Sequence, residues 1–161
     1  MSNAVPAIQR DKWVLPYVIA LKVIAALLGL SAPAYIWFGV GPHERADWAL
    51  MLYFSSHATY LLAFALAPLV VAQLLSLVFG LQERPAFFLR HSLLCFAFIA
   101  TVSLGTGAAS AVFAAHFEAN PVAIVWAAIE PARIASVLVW VAFGLVLRRV
   151  LPIIEESKSL V

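Results

Sequence analysis

The sequence predicts an all-α integral membrane protein, an up-down bundle of four transmembrane helices with both termini on the cytoplasmic side. Three observations predict it. First, 65% of the 161 residues are hydrophobic and 11% are charged, with mean hydropathy +1.00. A soluble domain has about a quarter charged and about half apolar residues, so this chain could not cover a water-facing surface. Second, the stretches 13–40, 48–81, 90–117 and 121–151 are each mostly apolar. Each exceeds the ~20 residues a helix needs to cross a hydrocarbon core ~30 Å thick at ~1.5 Å per residue. Third, Arg10, Lys12, Arg84, Arg90, Arg148, Arg149 and Lys158 flank one side of the spans, and only Arg45 lies in a loop on the other. Cytoplasmic loops carry the excess of Lys and Arg, which sets the orientation.

In the first span, Trp13 and Tyr17 mark the inner interface and Tyr35 and Trp37 the outer one, as amphipathic rings do at headgroup level. Residues 14–40 are too long for a signal-peptide core and end in Tyr-Ile-Trp-Phe-Gly rather than a small-residue cleavage site. Lys22 lies nine residues beyond Trp13. That is about 7 Å into the hydrocarbon, from which a lysine can snorkel back to the headgroups. Gly39-Val40-Gly41-Pro42 closes the span with the glycine and proline expected after a helix end.

The second span leads to a cytoplasmic turn over residues 80–85, and the short loops make successive helices antiparallel neighbours. In the third span Ser103, Gly107, Ala111 and Ala115 recur every four residues, with Gly105 and Ala109 beside them. Small residues at that spacing let helix backbones approach where water drives nothing together. The partner is another helix of this chain or, alternatively, a second copy or another subunit. Gln73, Thr101, Ser103, Thr106 and Ser110 are available for hydrogen bonds between helices. Asn120-Pro121 opens the fourth span, with asparagine as N-cap and proline at the first helical position. Pro33, Pro68 and Pro131 lie inside spans, where loss of a donor and a clash one turn back predict kinks. No linker or low-complexity block divides residues 1–161, so one domain is expected.

The candidate site lies in the fourth span, where Glu130-Pro131-Ala132-Arg133 interrupts an apolar run. Ionisable groups inside a span are expensive and are candidates for function. Depth arithmetic from Pro121 puts both charges in the outer third of the membrane, about 15 Å or more from the level of Lys22. Glu130 and Arg133, three residues apart on one helix face, can neutralise each other. His57 is expected near the outer boundary of the second span and His116 ends the third on the same side, with His43, Glu44, Asp47 and Glu118 around them. The expected polar site is therefore His57, His116, Glu130 and Arg133.

Four uses of that cluster are open. The two histidines at matched depth could ligate haem b, or hold a divalent metal with a carboxylate. The cluster could form an outward-facing pocket for a small molecule, ion, quinone headgroup or proton, or simply be a self-neutralised helix end. His91, alone on the cytoplasmic side, is an ordinary interfacial histidine.

Several classes are excluded or unsupported. There is no Gly-rich phosphate loop, nucleophile elbow or paired-cysteine motif, so an enzyme is not expected. The single cysteine, Cys95, cannot form an intramolecular disulfide, and the net charge of +2 gives no case for nucleic acid. The expectation is a multi-pass bacterial inner-membrane protein in contact with the lipid bilayer. It would act as a small non-catalytic subunit or accessory of a larger assembly, or as a homo-oligomer. A transport protein using the polar site and a b-type haem electron carrier are the alternatives.

Overall fold

Every apolar stretch is helical. The computed structural model describes residues 13–40, 47–117, 121–129 and 131–159. Arg10, Lys12, Gly41, Pro42, His43, Glu44, Arg45, Glu118, Asn120 and Glu130 lie outside the described residues. In chain order the helices are α1 (Val14–Val40), α2 (Trp48–Phe64), α3 (Leu66–Val78), α4 (Phe87–Arg90), α5 (Ser92–Phe117), α6 (Pro121–Ile129) and α7 (Pro131–Ser159). Four crossings are long and apolar enough to span a membrane: Val14–Trp37, Trp48–Val78, Ser92–Phe117 and Arg133–Ser157.

The prolines act differently from one another. Pro68 denies the carbonyl one turn back its donor, and α2 stops at Phe64, four residues before it. Ala65 keeps right-handed helical dihedrals (φ −59°, ψ −22°), so α2 and α3 remain one crossing. Pro131 is the first residue of α7, where a missing N–H costs nothing. Pro33 sits inside α1 without ending it. The fourth crossing continues past the expected end at residue 151, through Pro152 to Ser159. The second ends earlier than expected, at Val78. Gly80 follows with φ 67°, a left-handed conformation that glycine adopts without a Cβ penalty. In that turn the Gly80 N–H donates to Leu77 O (3.3 Å) and the Gln82 N–H to Ser76 O (2.9 Å).

The packing order is a row. α1 lies on α2 and α3, α2 lies on α5, and α5 carries α6 and α7. Among the described residues α1 and α7 do not meet as packed neighbours, as the ends of a closed bundle would. Burial follows the order. Half of the best apolar window of α5 is buried (50%), against 39% for the α2–α3 crossing and 11% for α1 and α7.

The core lies where α2, α3, α5 and α7 converge, around Val70, Leu77, Leu89, Phe96, Ile99 and Leu147. The Phe96 ring stacks on Trp140 (centroids 5.5 Å, planes 4° apart), and Trp140 takes Phe64 edge-on at 5.6 Å. Close approach of α5 and α7 depends on Gly144, where a Cβ would stand 3.2 Å from Leu93 Cδ1 and 3.4 Å from Phe96 Cβ. Shape matching of this kind holds helices together in lipid, since acyl chains are as apolar as leucine.

Candidate functional site

Three contacts fix the register of α2–α3 against α4 and α5. At one end Asp47, the N-cap of α2, accepts from the Ala49 N–H (2.9 Å), and its other oxygen accepts from His116 Nε2 (2.7 Å). Midway, the Thr106 hydroxyl donates to Ser56 O (3.3 Å). At the far end Gln73 Oε1 of α3 accepts the Leu89 N–H of α4 (2.9 Å), an amide that also donates to the N-cap carbonyl of Ala86 (3.1 Å). The two elements therefore run in opposite directions.

This register divides the expected four-residue site. His116 is an end group, paired with Asp47 and packed edge-on against Trp48 at 5.3 Å. His57 is nine residues beyond Trp48, or about 14 Å deeper along the helix axis. It lies near mid-membrane and not at the rim. The expectation that the two histidines share a depth is thus corrected, and with it the geometry required for haem ligation or a shared divalent metal. Among the described residues, no three His, Cys, Asp or Glu side chains gather as a metal-binding group. Glu130, the fourth expected member, lies outside the described residues.

Arg133 Nη1 donates to the backbone carbonyl of Ser103 at 3.4 Å, a long bond. It also makes contacts beyond this one and lies within electrostatic range of His57. Ser103 is 11 residues into α5, about 16 Å from Ser92 and so near the midplane of a ~30 Å core. The guanidinium thus reaches deeper than the outer third expected for it. His57 Nδ1 is 2.8 Å from Tyr53 O. A carbonyl only accepts, so Nδ1 carries the proton and a neutral ring offers Nε2 as an acceptor. Tyr53 (4.1 Å between centroids) and Tyr35 of α1 (6.2 Å) flank the imidazole. An imidazole acceptor and a guanidinium donor within electrostatic range of each other can bind a polar group or relay a proton.

The small-residue face of α5 serves two sides. Ser103, Thr106 and Gly107 are buried inside the molecule, as is Ala109, whereas Ala111 is half-buried and Ala115 exposed. Gly105 and Ala108 face outward onto a groove of about 440 Å³ between α2 and α5. Leu52, Ser56, Thr59 and Thr101 also line it. A Cβ on Gly105 would meet nothing within 4 Å.

Sequence reasoning placed Asp47 only as a loop residue. Its signal was present, because an aspartate directly before an apolar run marks a helix start. The carbonyl of Ser103, which receives Arg133, had no sequence signal, since every residue has a carbonyl.

The fold and the site define a helical membrane protein with four potential crossings, in which Arg133 of the fourth reaches the Ser103 carbonyl of the third. No protein-family profile, curated protein or solved structure matches the chain.

Proposed function

We propose that this chain is a polytopic protein of the bacterial inner membrane, up-down in topology with both termini cytoplasmic, that acts as a small non-catalytic subunit of a larger membrane assembly. The observation that carries this reading is the open groove between α2 and α5. It presents Thr101, Gly105 and Ala108 of α5 opposite Ser56 and Thr59 of α2, a surface of small residues against which a partner's transmembrane helix packs closely. Its threonines are bonded to their own helices, Thr59 to Ser55 O and Thr101 to Ala97 O, so the groove exposes no unsatisfied hydroxyl to lipid. The Lys and Arg distribution supports the orientation.

Gly105→Leu tests the reading, because the space at Gly105 is open within the chain and the substitution blocks the groove without disturbing the fold. On blue-native electrophoresis in mild detergent, the wild type should migrate as an assembly larger than one chain. Gly105→Leu should migrate as a monomer in undiminished amount. A wild type that runs as a lone monomer sinks the proposal.

A second reading, transport of a small molecule, ion or proton, rests on the reach of Arg133 to the Ser103 carbonyl of α5 and its electrostatic influence on His57. Arg133→Gln, Glu130→Gln and His57→Gln should then abolish flux in reconstituted vesicles while membrane insertion is unchanged. If these substitutions only reduce the amount of folded protein, the cluster is structural.

A further inference from the structure

Beyond the Gly144 contact, α5 and α7 enclose a second cavity of about 260 Å³ at the arginine-rich end of the bundle. Arg90, His91, Ser92, Arg148 and Glu155 supply its polar lining. Leu93, Leu94, Leu151 and Pro152 supply its apolar walls. Arg90 of α4 and Arg148 of α7 share this lining with one carboxylate, Glu155 of α7. Among the described residues, neither arginine has a carboxylate within 4.0 Å, and with Glu155 in the lining two positive charges meet one negative charge. Ser92, Leu93 and Leu94 also open α5, and their N–H groups precede the first carbonyl of that helix that an amide could reach. Leu94 is 65% exposed, so apolar surface continues from the cleft onto the membrane-facing side.

We propose that this cleft binds the phosphate of an anionic phospholipid, with Arg90 and Arg148 holding the phosphate and Leu94 and Leu151 lying along an acyl chain. A phosphate diester matches the charge of the rim, and the attached chain matches the leucine walls, which a free anion would leave uncovered. Basic pockets between transmembrane helices at an interface recognise anionic headgroups on these terms. The inference rests on the chain crossing a membrane and not on the partner-subunit reading.

The test uses the full chain reconstituted in phosphatidylcholine vesicles with and without phosphatidylglycerol, with thermal unfolding and native mass spectrometry as readouts. Phosphatidylglycerol should raise the unfolding temperature of the wild type and remain bound to it in the gas phase. Arg90→Gln and Arg148→Gln should each weaken that binding about fivefold, the effect of one basic group near an anionic surface. Both variants should unfold like the wild type in phosphatidylcholine alone. Arg84→Gln with Arg149→Gln removes the same charge from this end without touching the cleft lining, and should leave binding unchanged. Equal weakening by the two pairs would mean a diffuse surface potential and would overturn the site. If inorganic phosphate reproduces the stabilisation without phosphatidylglycerol, the cleft takes a free anion and the lipid assignment falls.

Discussion

Asp47 and His116 join the start of one membrane helix to the end of another. One carboxylate oxygen caps α2 at 2.9 Å from the Ala49 N–H, and the other lies 2.7 Å from His116 Nε2 at the close of α5. The Ala49 N–H, and to a lesser degree His116, hold the carboxyl below its ordinary value.

A pH dependence follows from this lowered value. A carboxyl whose folded-state pKa is depressed stabilises the fold fully above its unfolded pKa and loses that stabilisation as pH falls toward the folded value. Asparagine caps a helix about as well as aspartate, so Asp47→Asn isolates the charge. In detergent at neutral pH the variant should unfold at a lower temperature than the wild type. The two should converge as pH falls below the ordinary carboxylate value of 3.8. A gap that persists in acid would show that the charge is not its source.

Phe96 and Phe98 lie two residues apart on α5 with opposite surroundings. Phe96 is fully buried between Trp140 and Phe143, while Phe98 is 51% exposed. Phe96→Ala should cost about 3–5 kcal/mol by leaving a cavity among three helices. Phe98→Leu, which exchanges one lipid-facing apolar group for another, should be close to neutral. Denaturation of the two purified variants checks the contrast.

Gln73→Leu removes one of the two acceptors of the Leu89 amide and leaves it the Ala86 carbonyl at 3.1 Å. Losing one such bond should cost about 0.5–1.5 kcal/mol. The Leu89 amide should also exchange faster with deuterium than its neighbours in the variant, and unchanged exchange there would refute the assignment.

Gly144→Leu should force α5 and α7 apart, because even a Cβ there is in tight contact with Leu93 and Phe96. Overpacking of this kind costs about 1–3 kcal/mol. Gly144→Ala should be much milder, since its nearest neighbour is the mobile tip of Leu93. A graded series by thermal unfolding is the measurement.

The position of each crossing was legible in the sequence because it depends on hydropathy summed over some twenty residues. The role of Pro121 at a helix start and the hydrogen bonding of Gln73 were readable as well, since both follow from local chemistry, whereas Pro131 was expected to kink a continuous span and instead opens α7. The neighbours of each helix were not readable: four nearly uniform apolar helices carry little periodic signal. A row with α1 and α7 at its two ends therefore emerges only from the folded chain.

The candidate site follows the same division. The sequence identified His57, His116 and Arg133 as the unusual groups, because charge and imidazole in an apolar run are conspicuous. It grouped the histidines by distance from a helix end, which assumes a register between α2 and α5. That register is set by Asp47 with His116 and Thr106 with Ser56. Those contacts leave His116 at the end of the bundle and set His57 well inside it, within electrostatic range of Arg133. Residue type and span are properties of one segment and can be read from it. Which polar groups share a depth is a property of two segments in contact, and only the tertiary structure decided it.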